Sequence, residues 1–172
     1  DHDGNGIFNF AVRSGNKELL DQLIKRGVSY KENTKVGGNA FLFVDATQEN
    51  TLSLLTYLEE LGIQPNITTA KGITPLHKIA NATDTKVFEF FLNKGVDINK
   101  QDEQGNTALF NAAGRNTLAA VKFLAEKSNA VTTVNKKGET ALTRAIRTNT
   151  DEVVAYLISK GADVHLKDKN GC

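Results

Sequence analysis

Apolar residues along the chain fall into short clusters at i, i+1, i+4 and i+5: Leu19, Leu20, Leu23 and Ile24, then Val87, Phe88, Phe91 and Leu92, then Val153, Val154, Leu157 and Ile158. Each cluster forms one stripe on a helix, with polar residues on the other face. Asn16, Asn50, Asp84, Thr117 and Thr150 stand at corresponding places ahead of the helices, and all are strong N-cap residues. Gly27, Gly62, Gly95 and Gly161 follow as C-cap glycines, with Ser128 breaking the series.

A shorter helix is predicted before each of these, in ITPLHKIA, NTALFNAA and ETALTRAI. Thr74, Thr107 and Thr140 stand as its N-caps, and Pro75 takes the first helical position, where its missing N–H costs nothing. After the second helix, extended stretches such as VDINK and ADVHL lead into turns at Asp102 to Gly105, Asn135 to Gly138 and Asp168 to Gly171. An Asp or Asn in such a turn bonds the backbone two residues on. Gly4, Gly38, Gly72, Gly105, Gly138 and Gly171 mark five copies of a unit of 33 or 34 residues. A repeat of this length cannot bury its apolar face alone, so the expected fold is an all-α solenoid of stacked antiparallel helix pairs.

GITPLHKIA and GADVHLKDKNG give the unit its resemblance to the ankyrin repeat, over the whole chain. The resemblance implies antiparallel helix pairs with projecting β-hairpin-like loops, in one domain with repeats at about 4–37, 38–71, 72–104, 105–137 and 138–170. The tetratricopeptide repeat has a similar period, but its Trp and Tyr signature is absent. Three departures predict irregularity. The second copy has Ala40 and Phe41 where Thr-Pro is usual and one additional residue before Gly62; the first has an extra residue in KENTKVGG; the fourth has Ser128, Asn129 and Ala130 for Gly-Ala-Asp.

Charge excludes some partners. Lys plus Arg number 21 and Asp plus Glu 20, split 9 against 10 in residues 1–86 and 12 against 10 in 87–172. That leaves no field to gather nucleic acid or an anionic membrane. No apolar run approaches the roughly 18 residues of a membrane helix, so no membrane insertion is expected. The one cysteine, Cys172, forms no internal disulfide, and the cytoplasm is allowed. The chain lacks methionine and starts and stops in the same repeat phase, at DHDG and DKNG, with Ile7, Phe8 and Phe10 expected to lie uncovered on the first helix. These features lead to the expectation of a piece of a longer protein, in which an absent signal peptide says nothing about localisation.

Catalytic chemistry has little to stand on. His77 has no His or Cys nearby at ligand spacing, and the resemblance makes it a structural bond-former; His2 and His165 lie in loops. Asp102 with Glu103 forms a turn, and Asp151 with Glu152 a helix's first turn, where the macrodipole favours negative charge. No nucleophile elbow or phosphate loop is present. No cofactor, metal site or catalytic residue is expected, and the chain is expected not to be an enzyme.

The resemblance implies binding of a protein partner through loop tips and the concave side of the first helices. The tips supply Lys71 and Ile73, then Glu103, Gln104 and Asn106, then Lys136, Lys137 and Glu139. The first helices supply Arg13, Lys78, Asn81, Asn111, Arg115, Arg144 and Arg147. The place of Lys78, Asn111 and Arg144 is taken by Phe10 and Val44 in the first two repeats, so an apolar anchor near Phe10, Phe43 and Val44 would give way to a cationic stretch suited to an acidic, amphipathic segment. The expected function is a non-catalytic protein-interaction scaffold. The alternative is a targeting or regulatory arm of a larger enzyme or effector; nucleic-acid binding is disfavoured by the net charge of +1.

Overall fold

The structure, a computed structural model, describes residues 6–31, 33–35, 37–115, 117–148 and 151–166. Among them are nine α-helices, two 3₁₀ turns and no strand. The helices are α1 (Ile7–Val12), α2 (Lys17–Lys25), α3 (Thr51–Glu60), α4 (Pro75–Lys78), α5 (Lys86–Asn93), α6 (Ala108–Ala113), α7 (Leu118–Lys127), α8 (Ala141–Arg147) and α9 (Asp151–Ser159). The 3₁₀ turns are Ala40–Phe43 and Ala130–Thr132. Two compact units result, one of residues 1–79 with 86–96, the other of residues 80–85 with 97–172.

In the first unit α1 packs on α2 and on the Ala40–Phe43 turn, which also meets α3 and α4, while α5 packs on α3 and α4. Its core is aromatic: Phe41 lies edge-on to Phe91 with ring centroids 5.8 Å apart, and Phe91 edge-on to Phe90 at 5.2 Å. Phe8 is buried against Tyr30, 5.5 Å between centroids, so only Ile7 and Phe10 of the expected apolar trio stay exposed. In the second unit α6 packs on α7 and α8, and α9 on α7 and α8. Ala108, Ala112, Ala113, Ala120, Ala141 and Ala145 are all buried there, and such short side chains let the helices approach closely around Leu109, Val121, Leu124, Leu142 and Leu157.

First-helix caps follow the expected chemistry. The Thr107 and Thr140 hydroxyls each accept the N–H three residues on, at 3.3 Å. At Thr74 the N–H donates to His77 Nδ1 (3.2 Å); since a backbone N–H only donates, Nδ1 is the acceptor and the Thr74 hydroxyl, 2.8 Å away, donates to it as well. His77 is buried. Second-helix caps differ. Asn16 accepts the Leu19 N–H at 3.1 Å, but Asn50 and Thr117 make no cap bond, α5 starts at Lys86 rather than directly after Asp84, and Thr150 lies outside the described residues. The cause in α3 is recruitment: Asn50 Nδ2 donates to the Gly15 carbonyl (2.9 Å) and Gln48 Nε2 to the Arg13 carbonyl (3.0 Å), joining two interhelical junctions.

Gly27, Gly62, Gly95 and Gly161 have φ of 80, 81, 82 and 88°, the left-handed C-caps expected. Ser128 instead leaves α7 extended, and the Ala130–Thr132 turn follows. Each tip is closed by two N–H to C=O bonds: Gly37 to Thr34 and Thr34 to Gly38, Gly72 to Thr69 and Thr69 to Ile73, Gly105 to Asp102 and Asp102 to Asn106, Gly138 to Asn135 and Asn135 to Glu139. Asp102 and Asn135 also accept the N–H two residues on, both at 2.9 Å. The second tip thus turns at Gly37, φ 82°, and not at Gly38. This relocates the irregularity. From Gly27 to Thr34 is seven positions, as from Gly95 to Asp102, so the first copy's loop has ordinary length. Gly37 and Gly62 lie 25 positions apart, against 23 for Gly72 and Gly95, so the second copy carries two additional residues. There a 3₁₀ turn stands where the other copies have an α-helix.

Exposed faces of the second helices are laced by tyrosines. In the first unit Tyr57 donates to Asp21 Oδ1 (2.6 Å), with Lys17 Nζ 5.5 Å from its ring centroid. In the second unit Tyr156 donates to Glu126 Oε1 (3.0 Å) between Lys122 and Lys160, 5.7 and 5.4 Å from its centroid. Burial, then the hydrogen bond to Asp21, raises the Tyr57 phenol well above its ordinary value. The Tyr156 hydrogen bond, then Lys160, lowers the Glu126 carboxyl.

Two outcomes follow. Gly105 has φ 80°, and a Cβ there would sit 3.0 Å from the Lys136 backbone nitrogen, so Gly105→Ala should lower stability by about 1–3 kcal/mol in urea unfolding; an unshifted midpoint would contradict the tip geometry. A raised phenol favours the neutral form, so the Tyr57 contribution is present below about pH 10 and lost as pH climbs past that value. Tyr57→Phe should cost about 1 kcal/mol at neutral pH and flatten the alkaline decline in unfolding midpoint. An equally steep decline in the variant would exclude Tyr57 as its source.

Candidate functional site

The first helices share a register set by their N-caps, Gly6, Asn39, Thr74, Thr107 and Thr140. Four residues beyond each cap stand Phe10, Phe43, Lys78, Asn111 and Arg144. Phe43, not Val44, occupies the place in the second copy; Val44 is buried, because the tip turns one residue earlier than the glycine period implied. In the first unit Phe10, half exposed, meets Phe43 edge-on at 5.9 Å, and Lys78 is exposed.

In the second unit Asn111 is half-buried and Arg144 exposed. The Arg144 guanidinium stands over the Phe110 ring, 5.7 Å from its centroid. Its stem lies along Gly114, where a Cβ would come 2.5 Å from Nε and 3.2 Å from Cγ. Gly114 has φ −81° and ψ −3°, ordinary helical backbone, so it is the arginine and not the main chain that uses the missing side chain. Among the described residues no carboxylate forms an ion pair with Arg144.

Two other arginines of the expected cationic row, Arg115 and Arg147, have internal partners. Arg13 adds only a small attraction on Asp45, whose carboxyl is held below its usual range first by the Thr47 hydroxyl (2.7 Å) and N–H (3.1 Å). Arg115 Nη1 donates to Asn81 Oδ1 at 3.4 Å. Arg147 is ion-paired with Glu139.

At the tips, Lys71, Glu103, Gln104, Lys136 and Lys137 are exposed. The residue after each turn glycine lies deeper: Ile73 and Asn106 are half-buried and Glu139 is buried. Glu139 therefore belongs to a polar network beneath the tips. Asn135 Nδ2 donates to Asn106 Oδ1 (2.8 Å) and Glu139 Oε2 (2.9 Å), and Asn135 Oδ1 accepts the N–H groups of Lys137 and Glu139 (both 2.9 Å). The main chain adds a bond from Lys136 N–H to the Gln104 carbonyl at 2.9 Å.

The sequence singles out Arg144 but not Phe110 and Gly114, which lie against it; their signal, a phenylalanine and a glycine in the preceding copy, reads as core and punctuation. Among the described residues no group of His, Cys, Asp or Glu is placed to hold a metal, and no helix is long and apolar enough to cross a membrane. His165 is exposed; His2 and Cys172 lie outside the described residues.

Short helix pairs, left-handed glycine stops and bond-closed turns at a regular period define a helical repeat protein. The family model for ankyrin repeats (3 copies) matches residues 8–102, 42–128 and 76–168, and the chain belongs to the ankyrin repeat family. No curated relative matches the chain. Ankyrin repeats are typically non-catalytic and generally bind proteins.

Glu139→Ala should remove one of the two acceptors of Asn135 Nδ2 and the ion pair to Arg147 and cost about 1–3 kcal/mol, while Lys137→Ala on the same tip should stay within about 0.5 kcal/mol. Chemical denaturation of both variants checks this; equal losses would remove Glu139 from its supporting role.

Proposed function

We propose that this chain is a non-catalytic protein-interaction scaffold, whose partner lies against the exposed first-helix register and the loop tips. The observation that carries this reading is the variation at one repeated place: Phe10, Phe43, Lys78, Asn111 and Arg144 differ in size and charge. Two positions earlier in each helix, Phe8, Phe41, Leu76, Leu109 and Leu142 are all buried and apolar. Inward positions are held to one chemistry by packing, and the outward register is left to recognition. Short rigid helices fix the spacing of the varied side chains, so that a few anchors carry affinity while their neighbours exclude water.

In the first unit the contact residues are the Phe10 and Phe43 pair, Arg13, Lys78, Lys71 and Ile73. In the second they are Asn81, Asn111, Arg115, Arg144, Arg147 and the exposed tips Glu103, Gln104, Lys136 and Lys137, with Asn106 and Glu139 supporting them from beneath. The reading needs no cofactor and assigns neither nucleic acid nor membrane insertion.

Immobilised chain should retain a discrete protein from lysate of its source, and Phe10→Glu with Phe43→Glu, or Arg144→Glu with Arg115→Glu, should release it. Lys122→Gln, on a second helix, should retain it. Identical retention by all variants would place the contact surface elsewhere and overturn the reading.

A further inference from the structure

Resting on that reading but naming the chemistry of its contact, we infer that Arg144 is a pre-seated anchor for a carboxylate side chain, supplied by a glutamate-bearing extended segment of the partner. Three observations converge. Arg144 is exposed, and among the described residues it has no carboxylate partner, whereas Arg147, one turn further along α8, is paired with Glu139. Its guanidinium stands over Phe110, a buried ring, 5.7 Å from the centroid, which restrains the side chain and leaves its N–H groups to donate to an outside ligand. The stem rests in the gap left by Gly114, whose backbone any residue adopts.

A free arginine gives up much rotamer freedom on binding. One already held by a ring and a glycine gives up less, and its planar fork matches a carboxylate bidentately. Arg144 carries a cation that no carboxylate among the described residues pairs, so the complementary group is an anion. A flat two-oxygen carboxylate fits the fork without requiring the several convergent cations that a phosphate attracts. Gly114 thus acts as a positioning residue in the copy preceding the anchor.

The probe is an N-acetylated, C-amidated peptide alternating glutamate and glycine, with its glutamine counterpart, followed by fluorescence polarisation at low and high salt. The glutamate peptide should bind and the glutamine peptide should not. Arg144→Gln should weaken binding about tenfold. Gly114→Ala, which changes no charge and suits a helical backbone, should weaken it in the same direction by displacing the stem. Lys122→Gln, with the same charge change on a second helix, should leave it within about twofold. Unfolding midpoints near that of the parent chain show that the variants are folded.

Equal binding by Arg144→Gln and Lys122→Gln would reduce the effect to net charge and overturn the anchor. Parental binding by Gly114→Ala would overturn its seat. Failure of the parent chain to bind the glutamate peptide overturns the inference outright, while discrete capture from lysate, lost on substituting the Phe10 and Phe43 pair, would leave the scaffold reading standing.

Discussion

A pair of helices this short cannot bury its own apolar face. α1 has six residues and α4 four, each far below the length at which an isolated helix holds together in water. Stability comes from neighbours lying against one another, and every other feature serves that contact. The left-handed glycines return the chain for the next layer. Threonine caps and the His77 bond start α4, α6 and α8 where propagation alone could not. Tips are closed by paired backbone bonds that leave the loop narrow enough for the next tip to approach within 3.0 Å of the space above Gly105.

The two units meet this constraint with different materials. Phenylalanines fill the first, where Phe41, Phe90 and Phe91 interlock around a 3₁₀ turn and two additional residues. Alanines line the second, whose helices follow a regular spacing and whose tips are tied by a satisfied polar network through Asn135. Large adaptable rings accommodate an irregular backbone, whereas small side chains demand a regular one.

Much of this was legible in the sequence. Period, glycine stops, threonine caps and the turn-forming Asp102 and Asn135 all follow from local chemistry, and the structure shows each of them. Adjacent glycines hid the tip register: Gly37 and Gly38 serve the period equally well, and only the backbone bond to Thr34 selects the first. Asn50 reads as a cap, yet it bonds a carbonyl 35 positions away, a partner no local rule supplies. Glu139, an acid beside a turn glycine, reads as solvent-facing; its burial depends on Asn135 and Arg147 reaching it together. The seat of Arg144 is assembled from the previous copy, so the sequence showed a charge without showing what restrains it.

The bonds that join neighbouring copies have one more consequence. They connect residues separated by about the same length of chain each time: 29 positions for Asn135 to Asn106, 30 for Tyr156 to Glu126, 35 for Asn50 to Gly15 and 36 for Tyr57 to Asp21. The entropy of bringing two segments together grows with the loop between them, so each added copy closes a loop of the same size as the last. Search time for such a chain is set by one repeat length and not by the number of repeats, and contact order relative to length falls as the array grows.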